Sequence, residues 1–332
     1  MPDRFRNEVV VVTGASSGVG RAIARAFGEE GARVAIIARN EEALGVTADE
    51  ISGAGGTALV LPVDLTDAEA VDGAADRIVE EWGTINIWVN CAMATMIARF
   101  DQVTPDEFRR VTDVTYHGYV YGTMAALRCM RPRDEGRIIQ IGSAMAYRSI
   151  PLQSAYCGAK SAVRAFTDSV RTELMNEGSG IQICQAQLPA VNTPQPVRQR
   201  NKTGWLSQPV PPMFSPESMA DTVLWCAERM PREILVGWPS VRAVWAQKLA
   251  PGLADWFLAA KGVDDQLTGT KLEPERDDIL FKTLPGDPGA HGPYVDRERG
   301  PDWQMRVRKN PEAVAAGLGV ALGGAIALLM RR

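Results

Sequence analysis

The feature that most constrains the fold is an alternation of buried-strand runs and helical runs from residue 9 to about residue 262. Residues 9–12 are four consecutive valines, a β-branched run typical of a strand that is buried on both faces. Later apolar runs alternate with stretches of helical apolar spacing, which favours a parallel sheet with helices on both faces. The predicted strands are residues 9–12, 33–38, 57–62, 85–90, 137–142, 181–188 and 233–237.

Capping signals mark the predicted starts of several helices. Thr66 and Thr104 each stand three residues before a glutamate, which is the spacing of a capping box. The helix that follows Thr104 is predicted to be long and to end before Pro132. Ser215 is predicted to cap a later helix, and no internal repeat of solenoid length accompanies these elements.

Composition narrows the class of protein. The chain has 332 residues and 45% apolar content, enough for a large α/β domain with an extension. Its net charge of −4 argues against bulk nucleic-acid binding, which needs a basic surface. The five cysteines lack metal-site spacing, and charges occupy the amino terminus where a signal peptide would be apolar. We therefore predict a reduced, cytoplasmic catalytic domain.

Two C-terminal segments lie outside the alternation. Residues 263–312 are rich in Asp, Pro, Gly and Arg and are predicted to form an irregular extension. Residues 313–330 contain no polar side chain, and as a helix they would span roughly 27 Å, close to the thickness of a bilayer core. This apolar C-terminal helix, residues 313–332, has two interpretations: a membrane anchor, or a helix docked on the protein or between subunits.

A glycine-rich turn, Thr-Gly-x-x-x-Gly-x-Gly, follows the first strand and opens the first helix. Glycines let the backbone turn sharply and approach a ligand, while the helix N-terminus presents N–H groups and a positive dipole to a pyrophosphate. We therefore predict a dinucleotide site rather than a purely structural turn. The predicted contacts are Gly14, Ser16, Ser17, Gly18, Val19 and Gly20.

The end of the second strand bears on which dinucleotide binds. Dehydrogenases that prefer NAD usually have an acid there for the ribose hydroxyls. Ala38 occupies that position in this chain and Arg39 follows it. The missing carboxylate removes repulsion of a 2′-phosphate, which the guanidinium can bind through charge-assisted hydrogen bonds. We predict NADP(H), with NAD(H) as the alternative if Arg39 only solvates a loop.

Tyr156 and Lys160 are four positions apart in a predicted helix, so they share one face about one turn apart. A free tyrosine has a pKa of about 10, and a close ammonium lowers a pKa by roughly 1–3 units. Ser143 stands at the carboxyl end of the preceding predicted strand, the edge where open α/β sheets bind ligands. Taken alone, such a pair is more often two solvated surface residues, so the rest of the chain decides its meaning.

Jointly, these motifs resemble the short-chain dehydrogenase/reductase family over about residues 7–240. Besides the glycine turn, the matching positions are Asp64, Asn90-Cys91-Ala92, Ser143, Tyr156-x-x-x-Lys160 and residues 189–193. The resemblance implies a doubly wound, Rossmann-type α/β domain of about seven strands over residues 1–262. It also implies an NADP-dependent enzyme that transfers hydride between nicotinamide and a carbonyl or secondary alcohol.

The resemblance implies a role for each matching residue. Tyr156 would be the general acid in reduction, Ser143 would orient the carbonyl oxygen, and Lys160 would bind the nicotinamide ribose and depress the tyrosine pKa. Tyr156 and Lys160 thus also count among the cofactor contacts. The other implied cofactor contacts, at the adenine, the cofactor strand and the carboxamide, are Asp64, Leu65, Asn90, Val191 and Thr193.

The chain departs from the common family pattern at several positions. Thr115 stands where the family often has an asparagine that completes a proton relay through water. Threonine can also bind a water, so Thr115 is kept as a candidate catalytic residue. Met93 places a larger side chain near the expected pocket. The competing hypothesis is a catalytically idle NADP-binding sensor or scaffold, which would not need to retain all of Ser143, Tyr156 and Lys160.

The substrate is predicted from the segment after the cofactor threonine. Residues 194–214 form a long stretch whose position suggests a lid. Met93, Met96, Met145 and Tyr147 would line an apolar pocket, or else belong to the core. We expect an apolar ketone, aldehyde or alcohol substrate. With two histidines and no cluster of metal spacing, no metal is predicted. The resemblance implies a homo-oligomer formed through the long helices.

Overall fold

The computed structural model describes residues 3–273 and 276–309 of the chain. Seven strands form one parallel sheet. They are β1 (Val9–Thr13), β2 (Arg33–Ala38), β3 (Thr57–Pro62), β4 (Ile87–Asn90), β5 (Gly136–Ser143), β6 (Ile181–Leu188) and β7 (Glu233–Leu235). Their spatial order is β7-β6-β5-β4-β1-β2-β3, so the winding reverses between β1 and β4. The predicted doubly wound, Rossmann-type fold is confirmed, and the reversal marks the crevice where such sheets bind ligands.

Helices cover both faces of the sheet. The helices are α1 (Gly18–Glu29), α2 (Glu41–Gly53), α3 (Ala68–Trp82), α4 (Pro105–Thr112), α5 (Gly118–Met130), α6 (Ser154–Glu177), α7 (Gln195–Arg198), α8 (Pro216–Arg229), α9 (Gly237–Leu249), α10 (Pro251–Lys261) and α11 (Trp303–Lys309). The side chains of β1 alternate between the two faces: Val10 and Val12 pack in one apolar layer with α1, α2 and α8, while Val9 and Val11 pack in the other with α3, α5 and α6.

Two predicted helix caps are confirmed, and a third is wrong. Ser215 caps α8 as predicted, because its hydroxyl accepts from the N–H of Ser218 at 3.3 Å. Thr104 forms the predicted capping box at the start of α4. Thr66 does not cap α3, because Asp67 accepts the hydrogen bond from the N–H of Ala70 at 3.0 Å instead. The hydroxyl and N–H of Thr66 both donate to Asp64, at 3.0 and 3.1 Å. Thr66 and Asp67 are adjacent residues that could each cap α3. Because Thr66 is bound to the Asp64 carboxylate, Asp67 is the cap.

The predicted long helix runs from α4 to α5 and ends at Met130, but a π-helical turn, Asp113–His117, interrupts it. Such turns bulge a helix locally and re-aim its side chains. Thr115 lies inside this turn and is fully buried. The turn therefore fixes where the Thr115 hydroxyl points.

Residues 194–214, the predicted lid, contain α7 and three short strands rather than an open loop. These strands pair with distant segments: Arg200–Asn201 with Met96–Ile97, Trp205–Ser207 with Leu267–Lys271, and Met213–Phe214 with Glu298–Arg299. The last pairing joins the segment to the C-terminal arm, which we define as residues 276–309. The predicted irregular extension thus contains short strands and α11, and it packs on the sheet domain.

The predicted apolar helix, residues 313–332, lies outside the described residues. Within residues 3–273 and 276–309, no helix has the length and apolar character required to cross a bilayer.

Candidate active site

The turn between β1 and α1 requires glycine at three positions. Gly14 has a φ of 73°, and a Cβ there would lie 2.7 Å from the Cα of Ala92. A Cβ on Gly20 would lie 2.3 Å from the carbonyl oxygen of Gly14. Gly18 has a φ of 56°, with the side chain of Thr193 at 3.1 Å from the position of its absent Cβ. The backbone therefore passes close to β4 and to the segment after β6 only because these side chains are missing.

A cavity of about 220 Å³ lies against this turn, at the carboxyl ends of β1, β2 and β4. It brings together most of the predicted cofactor residues: Gly14, Ser16, Ser17, Gly18, Val19, Gly20, Arg39, Asp64, Leu65 and Thr193. Four predicted cofactor contacts are not among its lining residues: Asn90, Tyr156, Lys160 and Val191. Val191 instead bridges to Phe214, and Asn90 is fully buried behind the cavity.

The donors around this cavity fit a phosphate-bearing dinucleotide. Ser17 stands at the N-cap of α1 but makes no side-chain cap hydrogen bond. The lining contains further donors: the guanidinium groups of Arg39 and Arg198 and the side-chain amide of Asn40. Hydroxyl, amide and guanidinium donors beside a helix N-terminus are the chemistry that binds phosphate groups.

Asn90 and Asp64 stabilise the walls of the cavity. The Asn90 side chain accepts from the indole N–H of Trp88 at 2.8 Å and donates to Gln140 at 3.0 Å, so it ties β4 to β5. Burial raises the pKa of Asp64, but the Arg110 guanidinium at 2.7 Å and the N–H of Thr66 outweigh it and hold that pKa below its usual value. Asp64 therefore remains an anion at the edge of the cavity.

Ser143, Tyr156 and Lys160 come together at the carboxyl end of β5. All three are buried, with exposed fractions of 7%, 8% and 2%. The Lys160 ammonium lies 5.8 Å from the centre of the Tyr156 ring. It donates to the carbonyl oxygen of Ile141 on β5 at 2.7 Å. Met93 and Val114 connect this group to the cavity, because they line the cavity and also pack against the apolar cluster that contains Tyr156.

Burial controls the protonation of this group. Burial raises the pKa of Tyr156 well above its usual value, while a hydrogen bond with Ser143 acts in the opposite direction. Burial lowers the pKa of Lys160 to about 7. The predicted lowering of the Tyr156 pKa by Lys160 is therefore not found, since desolvation of the phenolate is the larger effect. The tyrosine retains its proton and is available as an acid.

The Thr115 hydroxyl contacts the chain after β4 instead of the lysine. It donates to the carbonyl oxygen of Ala94 and accepts from the N–H of Ala94, both at 2.9 Å. Both hydrogen bonds tie the π-helical turn to the chain after β4, and the relay role of Thr115 stays a prediction.

Tyr119 is the residue beside Lys160 that the sequence analysis missed. Its hydroxyl accepts from the Lys160 ammonium at 2.8 Å and donates to the carbonyl oxygen of Ile141 at 2.9 Å. The helical spacing of four between Thr115 and Tyr119 was a signal that could have found it.

The C-terminal arm covers the other end of the cavity. Arg39 donates to the carbonyl oxygens of Ile279 at 2.8 Å and Phe281 at 3.2 Å, and Asn40 donates to Leu284 at 3.1 Å. Burial and the neighbouring Arg110 lower the pKa of Arg39. The cavity is also lined by four residues of the arm: Ile279, Thr283, Leu284 and Pro288. None of these arm residues was predicted to belong to the site.

The arm also reaches the glycine turn. The N–H of Gly18, at the start of α1, donates to the carbonyl oxygen of Gly289 at 3.1 Å. Asp287 pairs with the buried Arg21, whose guanidinium also binds Glu50 at 2.7 Å. The arm is thus attached to α1 and to the loop after β2, the two elements that form this end of the cavity.

Comparison with known proteins agrees with this arrangement. A family model described as short chain dehydrogenase matches residues 8–203. The chain belongs to the short chain dehydrogenase family. Membership supports a general oxidoreductase that uses a nicotinamide dinucleotide, and it confirms the resemblance drawn from the motifs.

Individual relatives of this short chain dehydrogenase extend the match. An uncharacterized oxidoreductase, YxnA, of Bacillus subtilis is 29% identical over 95% of this chain and 90% of its own length. Dehydrogenase/reductase SDR family member 7B of Bos taurus is 30% identical over 77% of this chain and 82% of its own length. The crystal structure of a metagenomic short-chain oxidoreductase in complex with NADP superposes with a TM-score of 0.59, at 25% identity, over 70% of this chain and 97% of that one.

Proposed function

We propose that this chain is an NADP(H)-dependent oxidoreductase that interconverts a carbonyl group and a secondary alcohol. The observation that carries the proposal is the buried group of Ser143, Tyr156 and Lys160, connected to a glycine-turn cavity through Met93 and Val114. A buried acid, a hydroxyl donor and an ammonium beside a dinucleotide site are the side chains that carbonyl reduction needs.

Each side chain has a separate task in reduction. Tyr156 gives its phenolic proton to the carbonyl oxygen, and its raised pKa keeps that proton in place until charge develops on the oxygen. Ser143 donates a hydrogen bond to the same oxygen and stabilises the developing alkoxide. Lys160, held by Tyr119 and Ile141, favours the phenolate left behind when it is protonated, although burial has the larger effect on the Tyr156 pKa. Bound NADPH would supply the hydride.

The preference for NADP(H) over NAD(H) is supported by the lining of the cavity. Ala38, not an acid, ends β2, and Arg39 and Arg198 both line the cavity. A metagenomic relative in the family was crystallised with NADP. Two guanidinium groups and no carboxylate at the end of β2 suit a 2′-phosphate.

The substrate that we propose is an apolar ketone, aldehyde or alcohol. The cluster around Tyr156 consists of apolar side chains and includes Leu280, which the C-terminal arm contributes. Met96 belongs to this cluster and Met93 and Met145 pack against it, whereas the Tyr147 hydroxyl donates to Glu233 at 2.7 Å and belongs to a polar contact. Apolar walls with a few polar groups at the reacting centre are typical of small-molecule sites.

The test compares the wild type with Tyr156→Phe against a panel of carbonyl compounds and both NADPH and NADH. We expect NADPH-dependent turnover of apolar ketones or aldehydes, reduced by about 10²–10⁴-fold in the variant because the general acid is lost. NADPH binding, followed by fluorescence titration, should be unchanged in the variant. Tight NADPH binding without turnover of any panel member would favour the idle sensor or scaffold, and best activity on sugars or small hydroxy acids would reject the apolar substrate.

A further inference from the structure

Helices α9, α10 and α11 together expose an unusual number of large apolar side chains. Along α10 no residue is buried, and Trp256 is 69% exposed. We call the exposed apolar residues of these helices the tryptophan face: Trp238, Trp245, Leu249, Leu253, Trp256, Phe257, Trp303 and Val307. An aromatic side chain carries about 150–250 Å², and the five on this face are between 46% and 69% exposed, so their summed exposed area reaches the size of the largest apolar patches on monomeric proteins.

Helix α9 contacts both of the other helices. Only Ala250 separates it from α10. The rings of Trp238 and Trp303 are 5.7 Å apart, which joins α11 to the start of α9. Asp302, directly before α11, accepts from the N–H of Trp238 at 2.6 Å. The fold therefore holds Trp238 and Trp303 together, and Trp245 lies two turns from Trp238 on the same face of α9.

The charge of these helices is opposite to that of the whole chain. Helices α9, α10 and α11 carry six basic residues and one acidic residue, Asp255, whereas the chain has a net charge of −4. The basic residues are Arg242, Lys248, Lys261, Arg306, Arg308 and Lys309, of which Lys309 pairs with Asp221 of α8. The Lys248 ammonium lies 5.6 Å from the centre of the Trp245 ring. Basic side chains next to exposed tryptophans are the composition of surfaces that lie in a lipid interface.

The chain beyond α11 begins at this same surface. Helix α11 ends at Lys309, and the apolar stretch 313–330 starts four residues later, followed by Arg331 and Arg332. A bilayer that contacts the tryptophan face would therefore lie where this apolar stretch starts. A bilayer would therefore account for both the exposed tryptophan face and the apolar stretch that follows it in sequence.

We propose that the tryptophan face is a bilayer-binding surface that favours anionic lipids, with its aromatic side chains inserted at the level of the headgroups. A second copy of the chain fits less well, because a twofold interface would place the basic side chains of two identical faces against each other. The binding does not depend on the reaction that we propose for the active site. Its test therefore does not measure activity.

The experiment uses the full-length protein and vesicles that contain brominated phosphatidylcholine, which quenches tryptophans that enter the bilayer. The stretch 313–330 contains no tryptophan, so quenching reports the tryptophan face and not that stretch. We expect quenching of the wild type and a marked reduction in the double variant Trp245→Ser, Trp256→Ser, which leaves Trp238 and Trp303 in the face. The matched control is Trp205→Phe, because Trp205 is also exposed but lies on the strand that pairs with Leu267–Lys271.

A second variant tests the charge without removing apolar side chains. In Lys248→Glu, Lys261→Glu both substituted residues are exposed, so folding should be retained, which circular dichroism checks. Wild-type binding should strengthen about tenfold from pure phosphatidylcholine to an equimolar mixture with phosphatidylglycerol, the effect of one to two basic side chains at the surface. This preference should be lost in the variant.

Three results would overturn the proposal. Sedimentation with vesicles without tryptophan quenching would mean that only the apolar stretch binds. Self-association without vesicle binding would assign the face to a second copy. If the protein were monomeric and did not bind vesicles, another part of the chain would cover the tryptophan face.

Discussion

The two ends of the cavity are constructed from different parts of the chain. At the catalytic end, Ser143 and Lys160 are fixed by β5 and α6, and Lys160 binds partners 19 and 41 positions away. At the end covered by the C-terminal arm, Arg39 binds carbonyl oxygens 240 and 242 positions away in sequence. The catalytic end belongs to the sheet core, whereas the other end is completed by an arm laid over it.

The two ends should also differ in how easily they open. The hydrogen bonds of Lys160 are fully buried, so breaking them requires disruption of the core. Several arm contacts are half-exposed hydrogen bonds to backbone carbonyls, and such contacts belong to the low-stability parts of a fold. A cavity of about 220 Å³ is also smaller than the ~300–1,000 Å³ of typical ligand pockets. We infer that the chemistry is rigidly positioned and that cofactor entry depends on the arm.

The largest expected effect comes from Lys160→Met at the catalytic end. We expect turnover to fall by about 10²–10⁴-fold, because the positive charge beside Tyr156 is lost.

The Lys160→Met substitution should also change the pH dependence of the free energy of unfolding. The folded pKa of Lys160 is about 7, below the unfolded value of 10.5, so between these values the unfolded state binds more protons. Wild-type stability should therefore rise with pH in this window by up to about 1.4 kcal/mol per unit, and the variant should lack this rise.

Chemical denaturation at pH 7, 8 and 9 measures this difference. The variant leaves Tyr119 and Ile141 without the ammonium at every pH, so that cost is a constant offset and does not alter the slope. Lys261→Met, at the exposed end of α10, is the control and should keep both turnover and the wild-type slope. If the free energy of unfolding changed equally with pH in the wild type and in Lys160→Met, burial would not lower the pKa of Lys160.

The sequence predicts the catalytic end well because its signals are local. Glycines at a strand–helix turn and a tyrosine four positions before a lysine have fixed geometry once the strand order is known. Within this end, the hydrogen-bond partner of Thr115 could not be predicted, since a threonine hydroxyl can bind a water or a backbone group equally well. The π-helical turn that directs it to Ala94 has no clear sequence signal.

The end covered by the arm could not be predicted for a different reason. The partners of Arg39 and Asn40 are main-chain carbonyls of Ile279, Phe281 and Leu284, and every residue type carries such a group. The arm also lacks the apolar periodicity that would place it against a helix or a sheet. The sequence therefore predicts Arg39 as a phosphate ligand but gives no indication that this arginine binds the arm.

Arg39→Ser tests whether this arginine serves the cofactor, the arm or both. A lost charge-assisted contact to a 2′-phosphate should lower kcat/KM with NADPH by about 10–100-fold. NADH has no 2′-phosphate, so any change in kcat/KM with NADH reports the loss of the contacts to Ile279 and Phe281. We expect that change to be smaller than about fivefold. Arg99→Ser, at an exposed arginine, should alter neither value. Equal losses with both cofactors would make Arg39 a residue that holds the arm only.

The smallest expected effect is on the rate of cofactor entry in Asp287→Asn. This substitution weakens one ion pair between the arm and the buried Arg21, which keeps its bond to Glu50. Because Asp287 is partly exposed, the pair should contribute about 1 kcal/mol, so the open arm should become roughly fivefold more populated. Stopped-flow fluorescence should show NADPH association accelerated by a similar factor. Asp277→Asn is the matched control, since its partner Lys282 lies in the same arm and both side chains are exposed. An unchanged association rate with faster dissociation would mean that the arm closes only over bound cofactor.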